Sequence, residues 1–259
     1  MRLEGKVVVV TGASQGIGRQ IALDCAAEGA DLVLAARSAD ALEETAEQVR
    51  VLGRVAQAVP ADVTDLDSVD GLARAVLDRW GRVDVLVNNS GIAGPSAPLW
   101  EVAPEQWDAT MAVNVTGVFW CCRALMPAMI ERGEGSVIII GSITGKRPLL
   151  NRSAYATSKA ALIGLTRTLA EEAGAHGVRV NLVSPGAVEG PRIDRVFEMQ
   201  AAAQGRTPDE IREQFLALSP LRQLVKPSDI ARMVVFLASD EAARITGADM
   251  NVTSGVVMH

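Results

Sequence analysis

The sequence predicts an α/β protein built on a single doubly wound parallel sheet with helices on both faces. Three observations carry that expectation. Short runs of aliphatic and β-branched residues recur through the 259 residues, each followed by a longer stretch whose apolar positions have helical spacing. The short runs are continuously apolar rather than alternating, which suits strands covered on both faces. Strand and helix alternate from the start, so each helix can serve as the crossover that a parallel pair requires.

Residues 6–11 (KVVVVT) form the first buried strand, and residues 16–28 the first helix, with Ile17, Ile21 and Cys25 on one face. The second strand covers 31–36 (DLVLAA), the second helix 39–52 and the third strand 55–61. A helix over 66–80 leads to a strand over 83–87 (VDVLV), then a long helical segment spans about 104–130. Residues 136–140 (SVIII) are the next strand, 154–173 the next helix and 178–183 the sixth strand. A helix over 230–238 and a last strand over 249–252 complete the series. Texture changes only at 190–219, which is polar and Arg-bearing and should hold one or two small helices. Thr207-Pro208-Asp209-Glu210 reads as the start of one, with Thr207 as N-cap and Glu210 reaching back to it. Residues 1–259 therefore read as a single domain, with 190–219 as a substrate-lid insertion within it.

Composition removes several chemistries. The only histidines are His176 and the C-terminal His259, too little for a His-based triad or a multi-histidine metal site, so no metal is expected. Cys25, Cys121 and Cys122 are too few and too badly spaced for a zinc ribbon or disulfide framework, and an odd count suits a reducing compartment. A net charge of −6 lacks the basic footprint of a nucleic-acid binder. No apolar run approaches a membrane span, and the first ten residues are too short and charged for a signal peptide. A cytoplasmic enzyme without nucleic-acid or membrane partners is the expectation.

Between the first strand and first helix stands Thr11-Gly12-Ala13-Ser14-Gln15-Gly16-Ile17-Gly18. Free N–H groups at a helix start, together with its dipole, can bind a pyrophosphate, and glycines let the backbone approach closely. The spacing is G-x-x-x-G-x-G rather than G-x-G-x-x-G. Glycines also punctuate ordinary turns, but at this place in a doubly wound sheet they point to a Rossmann-type dinucleotide site. A carboxylate ending the second strand would grip the ribose hydroxyls of NAD, whereas an arginine would accept the 2′-phosphate of NADP. Here Ala35 and Ala36 are followed by Arg37, which favours NADP and leaves NAD as the alternative.

Tyr155 and Lys159 stand four apart in YATSK, on one face of the predicted helix. A nearby ammonium favours the phenolate and lowers a phenol pKa toward the range useful for proton transfer. Alone, the pair is a common helical accident. It is accompanied by Ser142 after strand SVIII, Asn88-Asn89-Ser90-Gly91 ending strand VDVLV, Asn114 in the long helix, and Pro185-Gly186 after the sixth strand. In this order the motifs resemble the single-domain short-chain dehydrogenase/reductase family over essentially the whole chain.

The resemblance implies an oxidoreductase that transfers a hydride between a nicotinamide and a secondary alcohol or ketone. Tyr155 would be the general acid/base, while Lys159 would hold the nicotinamide ribose and lower the tyrosine pKa. Ser142 would hydrogen-bond the substrate oxygen, and Asn114 would anchor a proton-relaying water. Gly12, Ser14, Gln15, Gly16, Ile17 and Gly18 would line the phosphates. Asp62 and Val63 would edge the adenine, Asn89 and Gly91 the adenosine ribose, and Val188, with Pro185 and Gly186, the nicotinamide amide. A homotetramer is implied as well. Three departures from the family pattern stand out: Ser90 for alanine in the Asn-Asn-Ala-Gly motif, Gly190 for the threonine that contacts the carboxamide, and Val252-Thr253-Ser254-Gly255 for Val-Asp-Gly-Gly. A nucleotide-binding regulator on the same fold is the other class of reading, but it has no need to keep Asn114, Ser142, Tyr155 and Lys159 together.

Other residues read more plainly. Cys121 and Cys122 are expected as core or interface thiols, Trp80 as core, and His176 as a loop residue closing a helix. Trp100, Arg147, Leu149, Leu150 and Arg152 flank the catalytic loops, and Arg192, Arg195, Phe197 and Met199 lie on the lid. Their arginines are either surface charge or a site for an anionic or polar substrate group.

Overall fold

The computed structural model describes residues 1–258. Its seven strands are β1 (Val7–Thr11), β2 (Asp31–Ala36), β3 (Ala56–Pro60), β4 (Val85–Asn88), β5 (Gly135–Ile140), β6 (Val178–Pro185) and β7 (Asp249–Val252). They form one sheet in the order β3-β2-β1-β4-β5-β6-β7, and every neighbouring pair is parallel. The helices are α1 (Gly16–Ala27), α2 (Ala39–Val51), α3 (Leu66–Trp80), α4 (Pro104–Met111), α5 (Gly117–Arg132), α6 (Ser153–Gly174), α7 (Pro191–Gln204), α8 (Pro208–Leu218) and α9 (Pro227–Ala238).

The continuous valines of β1 are explained by the two faces. Val8 and Val10 pack with Ile21 of α1, Leu42 of α2 and Val234 of α9. Val7 and Val9 pack on the other side with Leu72 of α3, Leu125 of α5 and Leu162 of α6. Alternate residues of a strand face opposite sides, so a doubly covered strand must be apolar at every position. The expected Cys121, Cys122 and Trp80 belong to the second core, Trp80 at its half-buried margin beneath the Arg79 guanidinium. His176 lies in the turn between α6 and β6.

Strand order reverses at β1, which has β2 on one side and β4 on the other. The crossovers leave β1 in opposite directions, and a crevice opens at the carboxyl ends of β1 and β4, where ligands of such sheets bind.

The stretch read from sequence as one helix over about 104–130 is interrupted. A wide π turn, Ala112–Thr116, separates α4 from α5 and carries the buried Asn114. Helical periodicity cannot reveal it, because apolar residues continue on either side. By length and composition the segment Pro104–Arg132 could cross a membrane. In the fold, Val118, Cys121, Leu125 and Met129 of α5 are instead buried against the sheet.

The 190–219 insertion contains two helices, α7 and α8, with a small core of its own in which Phe197 and Phe215 meet edge to face at 5.2 Å. The capping box expected at α8 is present: the Glu210 N–H donates to Thr207 Oγ1 at 3.2 Å and the Thr207 N–H to Glu210 Oε2 at 2.8 Å. Gly190, just before α7, has φ +130° and ψ 177°. Only glycine adopts that conformation without strain, which accounts for the missing threonine there.

Candidate active site

The turn from β1 into α1 has the features of an anion cradle. Gly12 and Gly16 have φ of +66° and +55°. A Cβ on Gly16 would meet nothing within 4 Å, whereas one on Gly18 would lie 2.2 Å from the Gly12 carbonyl oxygen. Gly18 therefore permits the helix to start against the strand end, and Gly16 leaves the mouth of the turn open. The N-cap, Gln15, makes no side-chain capping bond and no acid stands in the first turn of α1. The free N–H groups and the dipole are thus available to a phosphate.

Two side chains to which the sequence reading gave no role hold this turn. Arg19 donates to the Ser14 carbonyl through Nη2 at 2.6 Å and Nε at 3.1 Å, and is anchored by Thr45 and Glu44. The signal was present, since a cation in a first helical turn opposes the dipole and needs a local reason. Thr11 is the other: its Oγ1 accepts from the N–H groups of Asn89 and Ser90 at 3.0 and 3.1 Å. Asn89 closes the junction by donating from Nδ2 to the carbonyls of Thr11 and Gly12 at 2.9 and 3.2 Å. Its amide is therefore committed to joining the ends of β1 and β4.

Arg37 is exposed just past β2, close enough to Asp62 beyond β3 to act on its charge. The N–H and hydroxyl of Thr64 donate to the Asp62 carboxylate at 2.9 and 2.8 Å and, with Arg37 behind them, hold its pKa below the usual carboxylate range. Val63 is buried against Gly117, where a Cβ would fall 2.8 Å from Val63 Cγ2. At the opposite end of the crevice, the Gly186 N–H donates to the Val252 carbonyl at 2.9 Å, and Val188 bridges to Val225. Pro185 ends β6 beside Val252 of β7.

Asn114, Ser142, Tyr155 and Lys159 are brought together at the carboxyl ends of β4 and β5. The π turn aims Asn114 Oδ1 at the Ile92 N–H (2.8 Å), while its Nδ2 donates to the Ile92 carbonyl and to Ser158 Oγ, both at 3.0 Å. Ser158 Oγ donates in turn to the Tyr155 carbonyl at 2.8 Å. Gly91 lies beside this network, a Cβ on it falling 3.3 Å from Asn114 Oδ1 and 3.7 Å from Lys159 Nζ. Lys159 is only 5% exposed and donates to the Ile140 carbonyl at 2.8 Å. Ser142 accepts from the Thr144 N–H at 3.1 Å, leaving its proton for the Tyr155 oxygen.

The electrostatics follow from this arrangement. Burial by itself would raise the Tyr155 phenol, but the Lys159 ammonium, the Arg192 guanidinium, the Ser142 hydrogen bond and Arg152 together outweigh it, so the pKa lies below the ordinary value. Lys159 is lowered too, chiefly by burial, with Tyr155 opposing and Arg192 assisting. A phenol brought toward neutral pH beside a hydroxyl donor is equipped to take or give a proton at a substrate oxygen.

Comparison with known proteins agrees with this geometry. A family model described as Enoyl-(Acyl carrier protein) reductase matches residues 12–257. The 3-oxoacyl-[acyl-carrier-protein] reductase FabG of Thermotoga maritima is 36% identical over 258 residues, covering 100% of each chain. The chain belongs to the short-chain dehydrogenase/reductase family.

Among solved members of the short-chain dehydrogenase/reductase family, an NAD+-bound xylitol dehydrogenase superposes with a TM-score of 0.95 at 32% identity, covering 98% of this chain and 100% of that one. An actinorhodin polyketide ketoreductase with NADPH gives 0.93 at 35% identity, covering 97% of both. This short-chain dehydrogenase/reductase is accordingly an oxidoreductase dependent on a nicotinamide cofactor. Its uncapped α1 start and open glycine turn fit the pyrophosphate of such a cofactor.

Proposed function

We propose that the protein is an NADP(H)-dependent alcohol dehydrogenase or carbonyl reductase acting on a secondary alcohol or ketone, with Tyr155 as general acid/base. The observation that carries the reading is the setting of Tyr155: half-buried, hydrogen-bonded by Ser142, faced by Lys159 and lowered in pKa. When bound, the nicotinamide supplies or accepts the hydride. The open turn at Gly12, Ser14, Gln15, Gly16, Ile17 and Gly18 would hold its phosphates, and Arg37, Asp62, Val63, Asn89 and Gly91 would frame the adenosine end. Pro185, Gly186 and Val188 would lie along the nicotinamide end, and Arg37 would receive the 2′-phosphate in preference to a free ribose hydroxyl.

Ser142 orients the substrate oxygen and stabilises negative charge that develops on it. In oxidation the Tyr155 oxygen, as phenolate, takes the hydroxyl proton; in reduction the phenol returns it. Lys159 favours the phenolate over the phenol, while the Asn114–Ser158 network fixes the start of the helix that carries both groups. The 190–219 segment would close over the substrate as a lid on the single domain 1–259. The protein would work in the cytoplasm as a homotetramer.

The test is a panel of ketones with NADPH and NADH and of alcohols with NADP and NAD, followed at the nicotinamide absorbance. Turnover with a preference for NADPH is expected. Cofactor binding without turnover of any panel member would favour a regulator, and a large preference for NADH would overturn the assignment of Arg37.

A further inference from the structure

Cations surround the Tyr155 ring without a matching anion. The Arg152 and Arg192 guanidinium carbons lie 5.2 and 5.7 Å from the ring centroid, and Lys159 Nζ lies 5.8 Å from it. Arg152 is buried like Lys159, being only 6% exposed. It follows Asn151, whose φ of +60° turns the chain into α6, and its Nη2 donates to the Ala93 carbonyl at 2.6 Å. Its buried Nε has no hydrogen-bond partner. Among the described residues, neither Arg152 nor Arg192 forms an ion pair with any carboxylate.

A buried guanidinium ordinarily needs an anion and most of its five donors satisfied. The two guanidinium groups also repel each other, and burial, reinforced by Arg192, lowers the Arg152 pKa. The Tyr155 phenolate offers one negative charge against three cations, and only in part of the catalytic cycle. An anion arriving with the substrate would supply the missing partner, and an oxyanion group that presents two oxygens matches a guanidinium fork. Arg152 is the N-cap of α6 and Arg192 belongs to the first turn of the lid helix α7. An anion bridging them would draw the lid onto the site.

We propose that Arg152 and Arg192 form an oxyanion-recognition subsite, so that the substrate is a hydroxy or keto compound carrying a carboxylate or sulfonate within a few bonds of its reacting carbon. This rests on the reading of Tyr155 as the reacting acid/base, which sets where that carbon lies.

The test compares acetoacetate and acetonylsulfonate with methyl acetoacetate and with acetoacetyl phosphopantetheine, whose phosphate is remote from the ketone. In the unaltered enzyme with NADPH, kcat/KM for the better small anion should exceed that for the methyl ester by at least about tenfold. Arg152→Gln, and separately Arg192→Gln on the exposed lid helix, should lower the anion-to-ester ratio by tenfold or more, mainly through KM, with the NADPH Kd unchanged. Calorimetric binding of 3-hydroxybutyrate to the cofactor complex of Tyr155→Phe should persist, and should be lost when Arg152→Gln is added. That binding distinguishes the subsite from the chemistry: its survival without turnover of any ketone would sink the Tyr155 reading alone. A ratio unchanged in both arginine variants would overturn the subsite, as would arginine dependence confined to the phosphopantetheine substrate.

Discussion

Asn114 and Ser158 are joined by a buried hydrogen bond of 3.0 Å, and Ser158 passes it on to the Tyr155 carbonyl at 2.8 Å. The π turn is thereby tied to the helix that carries Tyr155 and Lys159. Asn114 also satisfies both backbone groups of Ile92. Replacing it with alanine leaves a half-buried N–H and C=O without partners, each costing at most the ~1–3 kcal/mol of a fully buried group. Asn114→Ala should therefore lower Tm by several degrees and reduce kcat more than it changes the NADPH Kd. Calorimetry and steady-state kinetics on the one variant check both.

The lowered Tyr155 pKa has a definite sign in a pH profile. Alcohol oxidation needs the phenolate, so its rate should rise with pH and level off above the Tyr155 pKa, below the ordinary tyrosine value. Lys159→Ala removes the first of the charges favouring the phenolate, so the midpoint should move to higher pH. Since the chain has one tyrosine, any tyrosinate absorbance change belongs to Tyr155 and can be titrated without turnover.

No carboxylate ends β2, where Ala35 and Ala36 precede Arg37. Charge-assisted hydrogen bonds to a 2′-phosphate are worth about 1.5–3 kcal/mol. Arg37→Ala should then reduce the NADPH-to-NADH ratio of kcat/KM by about ten- to a hundredfold. Competition kinetics with the two cofactors provide the measurement.

Gly190 precedes the lid helix at φ +130°. Restoring the threonine usual in the family should strain the backbone by about 1–3 kcal/mol. Gly190→Thr should accelerate amide exchange in α7 and α8 while leaving the sheet strands protected, because the lid has its own core. Hydrogen exchange resolved by peptide shows whether the effect stays in the lid.

Much of this was legible in the chain. The continuous valines of β1 required a doubly covered strand, and the Thr207–Glu210 pattern specified its cap because both signals are local. The π turn at Ala112–Thr116 was not legible, since a widened turn leaves apolar periodicity nearly intact. Nor was the use of Arg19, Thr11 and Ser158, each of which acts on a backbone group that only the fold brings near. Asn89 was visible as a motif residue, but its bonds across the β1 and β4 ends depend on strand order. The pairing of Arg152 with Arg192 joins two segments forty residues apart around one ring.

The central claim is that the Tyr155 oxygen moves the proton, and Tyr155→Phe tests it most directly. Removing only that oxygen preserves the ring that Arg152 and Lys159 approach. Loss of a general acid/base costs about 10²–10⁴ in rate. The account predicts a fall of that size or greater in kcat, with the NADPH Kd close to that of the unaltered protein. A Tyr155→Phe variant retaining a substantial fraction of kcat would contradict it.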